Sequence, residues 1–524
     1  MSKKAKQNQH PSAATNDVPH SSKSNNQHFI RWRLACILPA FTVLAASFLF
    51  PANRIHEDEI YWIGSSYYYQ LAVVQGDASN PDWQLLPARE NPVLGKYVFG
   101  FALQLSGHPV TTPDLLGSFY LIFADIPGAW GNDEAFEKRF AVATRVNPGM
   151  RDSIRRGQAL PLDDSQLIIT RRTTLFFGML AAIGIAVLGQ QCDWKAGGLL
   201  AGILFSLHPI VIESYSLAMI DIIAIAFSIW FMAAIMYILR LSANTTVRCN
   251  HEAAVRNPSN ANGKRSPRKV TDGSAPAKPT YLLINRHWLQ RASVTLFAAI
   301  MLAFACGSKM NSLVVAVTAS ACGVWYVLKL LQQRFDHDNP PESDKTPQAD
   351  KFRPLAGSGP TVSTQVTMLL LVAIIAVFVF IGSNPTLYGD PIDGVMALSY
   401  EHALTADIQE VMLGGRLNSV SERLQALAVL VCGGPIAFTL LFLLVAGSAY
   451  ECIRNRSMGI VVVLWWCIAL LLLIMWMPFA WERYTLPIIP PTMLVLGAVA
   501  ERAGSWLWSK LTSAHHDRVN TNVS

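Results

Sequence analysis

Apolar residues in this chain run in uninterrupted blocks of about twenty, the length a helix needs to cross the hydrocarbon of a bilayer. A half-buried helix on a soluble core shows its apolar residues three and four apart instead. The blocks therefore exclude a conventional globular core. Composition agrees: of 524 residues 52% are hydrophobic and 15% charged, whereas a soluble domain carries roughly 25% charged residues. The net charge of +7 does not point to a nucleic acid, because the basic residues cluster in short polar segments beside the apolar blocks, where they act as orientation signals.

Those signals set an expected topology. Residues 1–30, rich in Ser, Asn, Gln, His and Lys, read as a disordered cytosolic tail rather than a signal peptide. Arg31 and Arg33 flank a first span at 32–50 and keep the amino terminus inside. A first membrane module, 31–240, then contains a large outer loop at 51–170, too long for a connector, and spans at 172–190, 196–213 and 222–240. The linker 241–291 is basic, with Arg248, Arg256, Lys264, Arg265, Arg268 and Lys269 against Glu252 and Asp272, as a cytosolic loop should be. A hairpin at 292–331 must turn at Gly307–Asn311, since a lysine at the bilayer centre costs about 2.5–3.5 kcal/mol. After a second cytosolic linker, 332–364, a module at 365–500 holds spans at 365–382, 425–447, 459–477 and 485–500 around an outer loop at 384–423. Residues 501–524 form a cytosolic tail. The expectation is an all-α polytopic membrane protein of about ten spans with a large first extracytoplasmic loop. The eight cysteines lie in apolar blocks or cytosolic segments without CxxC spacing, so neither a disulfide framework nor a zinc site is implied.

With orientation set, conspicuous polar residues gather at the outer boundary: Asp58, Glu59, Glu90, Lys96, Arg171, Arg172, Asp221, Lys309, Glu482 and Arg483. Any one of them could be a snorkelling charge at a helix end. Asp58 and Glu59 are adjacent carboxylates whose repulsion beside a low-dielectric boundary would make one of them a usable base; the alternative is an acidic, capped helix start. Asp221 has the same alternative as a first-turn acid.

The motifs holding these residues come in a telling order. His56-Glu57-Asp58-Glu59-Ile60-Tyr61-Trp62 is followed by Glu90-Asn91-Pro92-Val93-Leu94-Gly95-Lys96, by Arg171-Arg172-Thr173-Thr174 through Gly178, and by His208-Pro209 to Met219-Ile220-Asp221. Gly307-Ser308-Lys309, Asn384-Pro385-Thr386-Leu387-Tyr388 and Arg483-Tyr484-Thr485-Leu486-Pro487 complete the series. Over residues 55–490 this resembles the dolichyl-phosphate-mannose protein mannosyltransferases and their bacterial relatives among the type C glycosyltransferases, with Asn91 and Val93 standing where the family has histidine and proline.

The resemblance implies the type C glycosyltransferase fold in the inner (plasma) membrane. It also implies transfer of mannose or a related sugar from a polyprenyl-phosphate donor to a hydroxyl of a protein, lipid or glycan on the extracytoplasmic face, with inversion. Asp58 would be the base with Glu59 its partner, and Arg171, Lys309 and Arg483 the phosphate-binding cations. Glu90, Lys96, Asp221, Tyr388 and Tyr484 would position substrate. No cofactor is expected; a divalent ion would have to draw on His56, His208 and His402. Trp62, Tyr67, Tyr68 and Tyr69 would either stack on a sugar or form an interfacial belt. The rival class is a secondary transporter or lipid flippase, which would place ionisable groups mid-span on broken, repeated helices.

Overall fold

The computed structural model describes residues 32, 34–52, 55–84, 86–89, 91–111, 163–256, 281–309, 312–338, 362–413, 415–455 and 457–521. Glu90 and residues 112–162 of the expected first outer loop lie outside them. Among the described residues the protein is all-helical, its only β feature an isolated antiparallel bridge between Arg416 and Phe479. In chain order the principal helices are α1 (Leu38–Leu49), α2 (Glu57–Ser65), α3 (Leu94–Leu105), α4 (Asp164–Gln191), α5 (Lys195–Leu207), α6 (Pro209–Ser216), α7 (Ile220–Arg256) and α8 (Tyr281–Ser308). There follow α9 (Leu313–Asp338), α10 (Val362–Ser383), α11 (Pro391–Leu413), α12 (Val420–Cys432), α13 (Pro435–Arg454), α14 (Ile460–Trp476) and α15 (Ile489–Thr521).

Among the described residues six stretches are long and apolar enough to cross a membrane: Asp164–Gln191, Ile220–Arg240, Trp288–Ser308, Thr364–Ser383, Pro435–Arg454 and Glu482–Ser513. The pair α5 and α6 qualifies together as a bent seventh, and Leu38–Leu49, Leu313–Tyr326 and Ile460–Trp476 are shorter apolar helices. The protein is therefore a multi-pass all-α membrane protein.

Three expected boundaries move, each for a local reason. The apolar run 196–213 is not one straight helix: it bends by 65° at His208, where Pro209 has no N–H to donate back into α5. The run 425–447 is likewise two helices, because Gly433 and Gly434 take φ of 75° and 158° and Pro435 opens α13. Conversely, α4 begins at Asp164, capped by the Asp163 side chain accepting from Ser165 N–H at 2.8 Å, so residues 164–170 extend a span rather than end a loop.

The axis of the bundle is α7. Of its most apolar stretch 83% is buried, against 11% for α10, and α4 and α8 are its chief neighbours. Two ends can be told apart. At one, Gln190 donates to the Trp32 carbonyl at 2.9 Å, Arg240 pairs with Asp193 at 2.6 Å and Arg502 with Glu451 at 2.6 Å. The other end holds the C-terminus of α1, the N-termini of α4 and α7, and the C-terminus of α8, and over it pack α2 and α3.

Candidate functional site

Helix α2 starts on a histidine cap. His56 Nδ1 accepts from Asp58 N–H at 3.1 Å, and Glu59 reaches back to accept from His56 N–H at 2.9 Å. The acidic start is thus a capped first turn, favoured by the helix dipole. Asp58 and Glu59 do not, however, share one site as adjacent carboxylates in repulsion. Consecutive side chains leave a helix about 100° apart, and each carboxylate meets its own cation.

Glu59 is wholly buried. Its carboxylate accepts from Arg171 Nε and Nη2, both at 2.7 Å, and from Ala218 N–H at 2.7 Å. Arg171 also donates to the Ala52 carbonyl at 3.3 Å. One carboxylate therefore fastens α2, α4, the end of α1 and the link between α6 and α7. A buried carboxylate is tolerable when its lone pairs are filled in this way, with a bidentate guanidinium as the best partner. Arg171 is engaged here as a clamp rather than held out for a phosphate.

Asp58 turns the other way and pairs its Oδ2 with Arg483 Nη1. Here both partners keep an exposed edge, 21% of the Asp58 side chain and 24% of Arg483. His56 Nδ1 lies 4.0 Å from the same carboxylate oxygen. Arg483 rests on aromatic rings, its guanidinium carbon 4.5 Å from the Trp481 centroid and 5.8 Å from that of Tyr484. Tyr484, expected to position substrate, is instead buried and stacked on Trp481 at 5.7 Å.

The third pair is Asp221 with Lys309, both buried, joining the first turn of α7 to the turn after α8. Asp221 Oδ2 makes no hydrogen bond among the described residues. Two further motifs, those of Gly95 and of Asn384, close around it. A Cβ on Gly95 would lie 3.2 Å from Cβ of both Ile220 and Ser308, a tight contact that marks how closely α3 approaches here. Asn384 Oδ1 accepts from Val93 N–H at 3.1 Å, and the Tyr97 hydroxyl donates to the Ser383 carbonyl at 3.0 Å. Segments hundreds of residues apart in sequence thus form one packed cluster.

Lys96, expected to position substrate, lies in the interior. It is fully buried, with Nζ donating to the carbonyls of Pro87 and, at 2.8 Å, Asn91, and lying about 6 Å from the Trp62 and Tyr68 rings, at 5.9 and 6.0 Å. It ties Pro87, in the short helix Leu86–Arg89, to Asn91. Trp62, Tyr67 and Tyr68 are buried around it. The Tyr67 phenol, pushed up to about 12 by burial and by its hydrogen bond to Asp82, sits in packing rather than on an open face. Tyr388 is exposed and donates to the Gly382 carbonyl at 2.6 Å. Among the described residues no three His, Cys, Asp or Glu groups lie together as a metal site; the His402 side chain is outside them.

Sequence reasoning did not single out Trp481 and Phe479. Their signal is the spacing Phe479-Ala480-Trp481-Glu482-Arg483-Tyr484, aromatic residues alternating with small or charged ones directly before a span.

Fold and site together define a multi-pass helical membrane protein whose clustered motifs hold, among the described residues, three carboxylate–cation pairs: Asp221–Lys309 buried on both sides, Glu59–Arg171 buried at the carboxylate, and Asp58–Arg483 with an open edge on each partner. Compared with known families, curated proteins and solved structures, the chain has no match in any of the three.

Proposed function

We propose that the protein is a membrane glycosyltransferase that moves mannose or a related sugar from a polyprenyl-phosphate donor to a hydroxyl on the extracytoplasmic face. The observation that carries this is the Asp58–Arg483 pair: of the three pairs it is the one in which both the carboxylate and the cation keep an exposed edge. A base and a phosphate-type cation side by side are what this transfer needs. The acceptor hydroxyl gives its proton to Asp58 as its oxygen attacks the anomeric carbon. The bond from that carbon to the phosphate oxygen breaks, and its electron pair leaves with the phosphate, which becomes a monoester. Attack opposite the leaving group inverts the anomeric centre. Charge grows on the phosphate, so a pre-placed guanidinium favours the transition state over the ground state.

In this reading Lys309, held by Asp221, adds positive charge to the phosphate site. Glu59 and Arg171 hold the frame that places Asp58, and Lys96 holds Pro87 and Asn91. Glu90 and Tyr388 remain candidates for positioning the acceptor, which is a protein, lipid or glycan. Counting the bent pair and the three shorter apolar helices as crossings gives ten passes, with the charged end outside and the basic linkers in the cytosol of a cell whose inner (plasma) membrane houses the chain. No cofactor enters the chemistry.

A transporter or lipid flippase is the second reading, favoured by the 65° break between α5 and α6 and by the buried Asp221. One experiment separates the two. Purified protein in detergent is given radiolabelled polyprenyl-phosphate sugars with membrane extract, and the same protein is placed in vesicles to follow solute or lipid movement. Sugar transfer that falls about 10²–10⁴-fold in Asp58→Asn supports the transferase with Asp58 as base. Undiminished transfer in that variant rejects Asp58. Movement across vesicles with no donor consumed rejects the transferase.

A further inference from the structure

The stretch from Met477 to Tyr484, which joins α14 to α15, is fastened at its start. Leu417 N–H donates to the Pro478 carbonyl at 2.7 Å, Phe479 pairs with Arg416, and Arg423 donates to the carbonyls of Ile474 and Met475 at 3.0 and 2.7 Å. On this backbone three rings lie nearly parallel. Phe479 and Trp481 are 4.7 Å apart at 18°, and Trp481 and Tyr484 are 5.7 Å apart at 8°. Trp476 meets Tyr484 edge-on at 5.9 Å. Phe479 and Tyr484 are buried, so the stack is part of the packed interior and carries Arg483 at its border.

A guanidinium over an aromatic ring is held through its face by the ring's electron cloud, while its N–H donors point outward in its own plane. Arg483 makes both contacts: its guanidinium carbon lies over the Trp481 ring, 4.5 Å from the centroid, and its Nη1 reaches Asp58. A cation gripped by the face can exchange one anion at its edge for another without giving up its seat.

We propose that Trp481, backed by Phe479, is the positioning residue for the donor phosphate: it seats Arg483 so that the phosphate of a polyprenyl-phosphate sugar takes the guanidinium edge from Asp58. The proposal rests on the transferase reading in assigning Arg483 to phosphate, and it adds a coupling. Asp58 is neutralised by Arg483 while no donor is present. An arriving phosphate removes that partner and sets a second negative charge beside the carboxylate, both of which make Asp58 a stronger base. The base is thereby armed by the donor it serves.

The test measures binding of a polyprenyl phosphate without sugar to the full chain in detergent micelles, for wild type, Trp481→Leu, Trp481→Phe and Asp58→Asn. Trp481→Leu is expected to bind about tenfold more weakly, and Trp481→Phe, which keeps a π face, to stay within about threefold of wild type. Asp58→Asn is expected to bind more tightly than wild type, because the competing anion is gone. In turnover, Trp481→Leu should raise the donor KM more than it lowers kcat. Wild-type binding in Trp481→Leu, no rescue by Trp481→Phe, or weaker binding in Asp58→Asn each overturns the seat, and the Asp58 arm decides even if Trp481→Leu does not fold. Absence of polyprenyl phosphate binding to wild type overturns the seat and the transferase together. The expected ranking with no donor consumed leaves the seat standing and removes the transferase alone.

Discussion

Replacing Glu59 by Gln keeps the shape of the side chain and removes one acceptor oxygen and one charge. Four donors converge on the carboxylate: Arg171 Nε and Ala218 N–H on Oε1, Arg171 Nη2 and His56 N–H on Oε2. A carboxamide oxygen can keep one of these two sets. Its NH2 then faces the other, turning two hydrogen bonds into donor–donor contacts in a site with no exposure to water. At about 1.5–3 kcal/mol for each hydrogen bond to a charged group, two lost bonds amount to about 3–6 kcal/mol, in line with the ~3–5 kcal/mol for breaking a buried ion pair. The assay is the half-life of the folded chain in a fixed detergent at elevated temperature, followed by tryptophan fluorescence, because unfolding of such chains is read as a rate. Even half of the loss expressed in the unfolding barrier shortens that half-life about tenfold. Removing Arg171 as well, as Glu59→Gln with Arg171→Met, takes away the facing donors and should recover part of the loss. A Glu59→Gln half-life within about twofold of wild type (~0.4 kcal/mol) would refute the clamp and return Glu59 to service as the partner of Asp58.

Lys309→Met strands the Asp221 carboxylate in the interior and should cost about 3–5 kcal/mol by the same half-life measurement, with Asp221→Asn in the same chain restoring much of it. Gly307→Ala drives a methyl into Leu94, whose Cγ and Cβ would lie at 3.0 and 3.2 Å; a destabilisation of about 1–3 kcal/mol is expected. Lys96→Met leaves the Pro87 and Asn91 carbonyls without their donor, and limited proteolysis should cut near the Leu86–Arg89 helix faster than in wild type. Glu422 accepts from Ser419 and Asn418 N–H at the start of α12, bonds that hold its pKa below the usual carboxylate range. Its contribution is therefore full above the unfolded-state pKa and is lost as pH falls through the lower folded value. Glu422→Gln should remove that acid-side component from a pH series of half-lives, and an unchanged acid limb would count against it.

Membrane character was open to sequence reasoning because hydrocarbon thickness imposes a length that composition alone reveals. Convergence of Asp58, Arg171, Asp221, Lys309 and Arg483 on one end followed from the same constraint, since charges are expelled to span termini. Which cation meets which carboxylate was hidden. Arg483 finds Asp58 across 425 positions and Arg171 finds Glu59 across 112, and nothing local in either motif selects these partners over the exchange of Arg171 and Arg483. The hold of Lys96 on Pro87 and Asn91 was hidden as well, because those partners are backbone carbonyls, which every residue has and no sequence pattern displays. The breaks at His208 and Gly433–Gly434 were visible as Pro209, Gly434 and Pro435, but the apolar runs around them outweighed the punctuation. Trp481 stood among fourteen tryptophans, and only its stacking sets it apart from an interfacial anchor.

The unequal enclosure of α7 and α10 has a mechanical consequence. A helix bathed in acyl chains answers a thinner or thicker bilayer by tilting, at a cost of fractions of a kcal/mol per ångström of mismatch. A helix sheathed by its neighbours does not feel the acyl chains directly. Asp221 stands on the sheathed helix, and Glu59 is tied to the link that enters it. Changes in lipid composition are thus absorbed by the outer rods, while the charged end keeps its dimensions in membranes of differing thickness.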